Sequence, residues 1–258
     1  MNDLELAHAL ADAAGDAIRP YFRAATPIET KADASPVTAA DRAAEAAMRA
    51  LLGRHRPDDG VIGEEYGEDR PDAALVWVLD PIDGTRAFIA GRPLFGTLIA
   101  LMEGGVPVLG IIDQCIARDR WVGADGGTTL NGVAARTRRC PDLARAYLAT
   151  TSPQAFPPED FGAFEQLRGE VGDTLYGGDC HNYGLLSSGH LDLVVEAGLK
   201  VYDWAALVPI VTGAGGAMTD WAGAPLRLGS EGRVIASGDR RLVAVVTALF
   251  AGIGLDTD

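Results

Sequence analysis

Trp77-Val78-Leu79-Asp80-Pro81-Ile82-Asp83-Gly84-Thr85 is the stretch that most constrains what this chain can fold into. Its apolar start reads as a buried strand, and that strand ends in a carboxylate. Pro81 fixes φ and donates no hydrogen bond, so it forces the chain out of the sheet. A second carboxylate follows, then Gly84 for a tight turn and Thr85 at a predicted helix start. Two acids three residues apart at a strand end can converge on one point. Carboxylates crowded in this way repel unless a proton or a cation separates them, and hard oxygen donors suit Mg²⁺. Taken alone, Asp83-Gly84-Thr85 reads equally well as a turn followed by a cap.

The flanking sequence builds layers around this strand. Leu4, Ala7, Leu10, Ala14 and Ile18 recur at helical spacing. Thr38 reads as an N-cap with Asp41 at the capping-box position, and Ala44, Met48, Leu51 and Leu52 form the stripe of a second helix that stops at His55-Arg56-Pro57. Residues 97–102 and 108–112 flank Glu103-Gly104-Gly105 as a hairpin, residues 120–123 add a strand, and Asp125-Gly126-Gly127 turns the chain. The second half alternates. Strands are expected at 147–150, up to Tyr176, at 191–196 and at 234–236, with helices over 158–171, 180–188, 204–214 and from Asp239. This pattern predicts an α/β (α+β mixed) protein with mixed sheets. It places a boundary near 135–145, dividing residues 1–140 from 141–258.

Charge narrows the partners. Asp and Glu number 36 against 22 Lys and Arg, a net charge of −14, so nucleic-acid backbones and anionic membranes are repelled. Cys115, Cys140 and Cys180 are scattered and form no CxxC pair, which argues against a disulfide framework or structural zinc and fits a reducing compartment. No basic, apolar leader opens the chain, and the uncharged stretch 204–218 is shorter than the roughly 20 residues a membrane helix needs. A cytoplasmic protein is expected. Gly213-Ala214-Gly215-Gly216 lacks the dinucleotide pattern and reads as helix–sheet packing. His8, His55 and His190 lack ligand spacing and are expected at the surface, and the tryptophans are expected in the core.

Further acids join the first two. Glu64 and Glu65 follow the short apolar Val61-Ile62, and Asp203 precedes the apolar Trp204. Alone, Asp203 fits an ordinary N-cap and Asp41 a capping-box acid. Together, Gly63-Glu64-Glu65, the 77–85 stretch and Tyr202-Asp203-Trp204-Ala205-Ala206, with Lys31, Asp33, Ser35, Pro36, Val37, Thr38 and Asp41, resemble the inositol monophosphatase superfamily over nearly the whole chain. That resemblance implies a layered αβαβα sandwich of two packed subdomains. It also implies a homodimer and a cleft holding two or three Mg²⁺ per site. Carried over, Glu64, Asp80, Asp83 and the Ile82 carbonyl hold metal, and Asp203 reaches them from the other subdomain. Thr85 and Asp41 orient and activate the attacking water, Glu65 belongs with them as a catalytic residue, and Gly84 and Thr85 offer N–H groups to the phosphate.

Three stretches are more particular. Residues 88–97, 176–186 and 193–203 are similar to the histidinol-phosphatase branch, whose substrate is L-histidinol phosphate in histidine biosynthesis. Its ammonium and imidazole call for acids beyond those on the metals. Asp179 and Glu196, with Gly178 and Asp203, match substrate-side positions; otherwise Asp179 caps a helix and Glu196 ends a strand. His181-Asn182 departs from the branch pattern. The alternatives are an inositol-1-monophosphatase or broader small-molecule phosphatase of the same superfamily, and a non-catalytic regulator, which the complete acid set disfavours. A haloacid-dehalogenase phosphatase would need DxDGT, whereas two residues separate Asp80 from Asp83.

Overall fold

The computed structural model describes residues 1–24, 28–30 and 36–253. Lys31, Asp33 and Ser35 of the motif read above lie outside the described residues. Helix α1 (Asp3–Ile18) opens with a capping box between Asn2 and Glu5. Strands β1 (Ile28–Thr30) and β2 (Pro36–Thr38) form an antiparallel pair that delivers the chain to α2 (Ala39–His55). The α2 capping box is made by Thr38 and Asp41, as the sequence predicts. There follow β3 (Gly60–Gly63), β4 (Gly67–Asp69), β5 (Leu75–Asp83), the short α3 (Thr85–Ile89), β6 (Gly96–Glu103), β7 (Val106–Gln114), β8 (Asp119–Ala124), β9 (Gly127–Leu130) and β10 (Val133–Ala134). These eight strands form one sheet in the order β10-β9-β8-β7-β6-β5-β3-β4, in which only the β3–β5 pairing is parallel.

Alternation along β5 explains its unbroken apolar run. Trp77 and Leu79 pack among α1 and α2, where Leu6, Leu10, Met48 and Leu52 are buried. Val76 and Val78 face the opposite core. Both faces are covered, so neither set of positions stays polar. Complete burial of each such side chain is worth about 1.5–3 kcal/mol.

The second half contributes β11 (Tyr147–Thr150), α4 (Pro158–Glu170), β12 (Asp173–Tyr176), α5 (Cys180–Ser187), β13 (Leu193–Glu196), α6 (Val201–Trp204), α7 (Leu207–Gly213), β14 (Ala217–Thr219), β15 (Val234–Ser237) and α8 (Arg240–Ile253). Its sheet runs β12-β11-β13-β15-β14, with β11 parallel to both β12 and β13. Trp204, Leu207, Ile210 and Leu186 join the two sheets in one middle core. Phe164 and Leu167 of α4 with Leu242, Val246 and Phe250 of α8 cover the outer face. The layers are therefore αβαβα.

One expected helix is two. Residues 204–214 divide into α6 and α7, with a turn at Ala205-Ala206. Pro209 has no N–H to donate to the Ala205 carbonyl, so a continuous ladder cannot form there. The helix also lies unusually close to the large sheet. A Cβ at Gly110 or Gly123 would run into the backbone at Ala206 or Pro209. Strands β1, β2, β4, β9, β10 and β14 were not anticipated, and the strand expected from 191 starts at Leu193. His8 is half-buried rather than at the surface, with Nδ1 3.2 Å from the Arg120 guanidinium. All three cysteines are buried and free. Among the described residues, no helix is long and apolar enough to cross a membrane.

Candidate active site

Strands β11, β12 and β13 run parallel, so their carboxyl ends open on the same side, where α/β sheets bind ligands. The connections from β12 to α5 and from β13 to α6 cross this edge, and β5 reaches it from the large sheet. Asp80, Asp83 and Asp203 meet there, each with a carboxylate oxygen within 4.8 Å of the others. The two acids of the 77–85 stretch thus converge, and the second half of the chain supplies the third.

Each acid is aimed by its own backbone. Asp80 Oδ1 accepts the Ile82 N–H at 3.0 Å, which folds the Asp-Pro-Ile turn back on its carboxylate. The Pro81 carbonyl accepts from Thr97 Oγ1 at 2.8 Å. Asp83 Oδ2 accepts the Cys180 N–H at 2.6 Å and so ties the large sheet to the start of α5. Asp203 is not the N-cap read as one alternative. It sits inside α6, and Oδ2 accepts the Lys200 N–H at 2.6 Å. Glu64 follows β3, anchored by its N–H to the Leu79 carbonyl at 3.2 Å.

The electrostatics single this cluster out. Burial holds Asp80 well above the ordinary carboxylate range, with the charges of Glu64, Asp83 and Asp203 adding to it. Asp83 is raised in the same way, by burial and then by Asp179 and Asp203. Burial pushes Asp203 up to about 7, against the opposing Lys200 N–H bond. Of the two glutamates, Glu64 is the one whose charge bears on Asp41, Asp80 and Asp203. Glu65 lies half-buried at the next position, its N–H donated to Glu45 Oε2 at 2.7 Å. An all-oxygen set that raises its own proton affinity fits a hard divalent cation, which relieves the repulsion the fold builds in.

Beside the cluster stands the Thr85–Asp41 pair. Asp41 is fully buried, and its Oδ2 accepts from both the Thr38 N–H at 2.8 Å and the Thr38 hydroxyl at 2.6 Å. That leaves Oδ1 facing Thr85 Oγ1 at 3.4 Å, while the same hydroxyl lies 3.1 Å from the Ile82 carbonyl. Thr85 has one proton to give, so these acceptors compete for it. Gly84 takes φ +88°, a left-handed conformation suited to glycine, and forms the N-cap position of α3.

Next to the metal-type cluster is a cavity of about 170 Å³ walled by Thr151, Phe156, Asp179, Tyr183, Glu196 and Leu199. Asp179 occupies the N-cap position of α5 but makes no cap hydrogen bond. Its backbone is held at φ +44°, ψ −136°, a conformation costly for a side chain with a Cβ. Burial and the Glu196 charge push its carboxyl up to about 7, with Arg86 pulling the other way. Gly84 permits the approach, because a Cβ there would lie 3.0 Å from the Asp179 carboxyl carbon. Glu196 ends β13 and is buried, with Oε1 accepting the Thr151 N–H at 3.0 Å and Oε2 the Tyr183 hydroxyl at 2.8 Å. Gly178 takes φ +116° in the loop before α5, where a Cβ would strike Asn182. The departing pair His181-Asn182 points elsewhere. His181 sits edge-on to Trp121 with ring centroids 5.3 Å apart, and Asn182 Nδ2 closes the Gly177 turn at 3.0 Å.

Four supporting groups escaped the sequence reading. Tyr183, Thr151 and the Cys180 N–H act across long sequence separations that no local pattern reveals. Glu45 was findable, since it lies one helical turn after Asp41 on the same face of α2. It is fully buried, pairs with Arg49 and accepts the N–H groups of Glu65 and Tyr66. It thereby fixes the turn that carries Glu64, and only a glycine at 63 leaves room for it.

Comparison with known proteins agrees with this geometry. The inositol monophosphatase family model matches residues 2–253. A histidinol-phosphatase of Mycobacterium tuberculosis is 39% identical over 86% of this chain and 88% of its own. The chloroplastic bifunctional phosphatase IMPL2 of Arabidopsis thaliana is 52% identical over 84% of this chain, which spans 63% of that protein's length. The solved structure of an inositol monophosphatase from Zymomonas mobilis superposes with a TM-score of 0.90 at 59% identity, covering 96% of this chain and 97% of the other. With its five layers, its convergent carboxylates and a match along nearly its whole length, the chain belongs to the inositol monophosphatase family of phosphatases.

Proposed function

We propose that this chain hydrolyses L-histidinol phosphate to L-histidinol and phosphate in histidine biosynthesis. Glu64, Asp80, Asp83, Asp203 and the Ile82 carbonyl hold two or three Mg²⁺. When bound, these ions supply positive charge for the phosphoryl oxygens and lower the pKa of water at the site. The rest falls to the chain. Thr85, with its proton given to Asp41, turns lone pairs outward to accept a proton from the attacking water. Asp41 stays in place to take it because Thr38 holds its other oxygen. Glu65 is read as part of the same catalytic group. Gly84 and Thr85 direct N–H groups at the phosphate, and in-line attack breaks the ester P–O bond, the leaving oxygen taking a proton from a water at the site to depart as the alcohol.

The observation that supports a cationic substrate is Asp179. It is a half-buried carboxylate in a strained backbone, with no hydrogen bond to its side chain among the described residues, facing the same small cavity as Glu196. A neutral polyol leaves the Asp179 carboxylate without a compensating charge, whereas an ammonium pairs with it and with the charge that Glu196 keeps beside its two donors. Gly178 and Asp203 complete the substrate side. The relatives named as histidinol-phosphatases support the same reading. A homodimer in the cytoplasm, and subdomains at 1–140 and 141–258, belong to this proposal.

One observation favours a second reading, hydrolysis of inositol 1-phosphate: the 59% identical solved structure is described as an inositol monophosphatase. The test is kcat/KM of the Mg²⁺-loaded protein on both esters. Faster turnover of histidinol phosphate is expected, and faster turnover of the inositol ester rejects the proposal in favour of the second reading.

A further inference from the structure

At the amino ends of β11 and β13, across the sheet from the active site, lies a cavity of about 310 Å³. Arg138, Arg139, Arg145, Tyr147, Asp142 and Asp192 line it. Six of the 22 basic residues fall at positions 136, 138, 139, 145, 240 and 241, on a chain whose net charge is −14. Four of these arginines are occupied by the fold. Arg138 grips Asp192 with both arms of its fork, at 2.7 and 2.6 Å, and its guanidinium lies 5.4 Å from the Tyr147 ring centre. Arg136 bonds the Ala135 and Gly213 carbonyls, Arg240 those of Gly215 and Gly216, and Arg241 the Asp239 carboxylate. Asp239 also accepts the N–H of Cys140 on the cavity wall.

Arg139 and Arg145 differ. Both are exposed and both line the cavity. Among the described residues, neither guanidinium makes a hydrogen bond or an ion pair. The two acids of the cavity are engaged: Asp192 by Arg138 and the Tyr147 N–H, Asp142 by the Ala144 N–H. Single exposed arginines are ordinarily just solvated. Here acids outnumber bases 36 to 22, yet two arginines converge on one concavity without an acid partner.

We infer that this cavity binds a small phosphorylated anion, its phosphate held between Arg139 and Arg145 with the Arg138–Tyr147 stack as the floor. Guanidinium forks match phosphate oxygens in pairs, and the cavity size suits one small molecule. None of its lining residues belongs to the carboxylate cluster or to the cavity of Asp179 and Glu196, which makes it distinct from the catalytic phosphate position.

The probe is radiolabelled orthophosphate in equilibrium dialysis against the Mg²⁺-loaded protein. The parent is expected to bind two phosphates per chain, the second with Kd below about 1 mM. Arg139→Gln/Arg145→Gln is expected to bind one, with kcat/KM at low phosphate unchanged. Arg227→Gln, elsewhere on the surface, retains two. The single Arg145→Gln keeps the test readable if the double variant fails to fold, and is expected to weaken the second site at least tenfold. Equal phosphate binding by the parent and by the arginine variants, at whatever number, overturns the inference.

Discussion

The two ends of strands β11 and β13 treat buried carboxylates in opposite ways. At the amino end, Asp192 is 1% exposed, and it receives both arms of Arg138 and the Tyr147 N–H. At the carboxyl end, Asp83, Asp179 and Asp203 are half-buried, and each feels chiefly the negative charge of its neighbours, Glu196 and Glu64 included. The chain has 20 arginines, yet among the described residues the cations whose charge bears on Asp179 and Asp203 are Arg86 and Lys200. The contrast separates two uses of buried charge. A carboxylate that braces a fold is paired inside it; one that is left crowded keeps its affinity for a cation from outside. Glu196 stands between these cases, since two donors hold it in place yet it still faces the cavity.

Removing cations should break the carboxyl end completely and leave the amino end intact. Chelation is expected to abolish phosphatase activity without unfolding the protein, and added Mg²⁺ to restore it; full turnover in excess chelator contradicts the proposed chemistry. Thr85→Ala removes the group between water and Asp41. It should lower kcat by about 10²–10⁴ with a smaller change in KM, measured with solvent ¹⁸O entering the product phosphate. A stable phosphorylated residue on the protein would rule out direct attack by water.

Glu196→Gln sharpens the comparison within the carboxyl end. Charge-assisted hydrogen bonds are worth roughly 1.5–3 kcal/mol, so kcat/KM for histidinol phosphate should fall about 10–150-fold. A simple uncharged phosphate ester should be nearly unaffected. An equal loss on both esters means that Glu196 supports the metal site instead. Asp192→Ala is the smallest effect on catalysis and the counterpart at the amino end. It should leave kcat/KM close to that of the parent but cost about 1–3 kcal/mol of stability, through the stranded Tyr147 N–H and the lost Arg138 bonds. Arg138 is 38% exposed on its side chain, which limits the ion-pair share of that loss. Denaturant unfolding reads it directly, and a drop in turnover without a drop in stability would contradict the bracing role.

Much of the carboxyl end was legible because it is local. Asp80, Ile82, Asp83, Gly84 and Thr85 are almost contiguous, and a strand, a proline and a glycine dictate where they point. The Thr38–Asp41 box was readable for the same reason: its partners are three residues apart. What joins the two halves was not. The Cys180 N–H lies 97 residues from Asp83, and Thr151 lies 45 from Glu196. Such contacts follow from sheet order, which apolar periodicity leaves open. The break between α6 and α7 was missed because the apolar stripe continues through Pro209, and stripe and backbone disagree there. Strands as short as β10 or β14 carry too few residues for a period of two to show.

The central claim is that the crowded carboxylates are aimed by backbone N–H groups yet crowd one another's charge, so that they can take a cation. Burial pushes the carboxyls of Asp179 and Asp203 up to about 7, from an ordinary aspartate value of 3.8. Both are raised, so each favours the protonated fold. The stability they contribute without metal is fully present below about pH 4 and is lost as pH rises to about 7. The direct measurement is the melting temperature of the parent and of Asp83→Asn at pH 7.5, each in chelator and in excess Mg²⁺. Removing one charge should make the variant melt higher than the parent in chelator, and Mg²⁺ should then raise the parent substantially and the variant little. A variant that melts lower in chelator and gains as much from Mg²⁺ as the parent would show that Asp83 braces the fold and does not hold the ion.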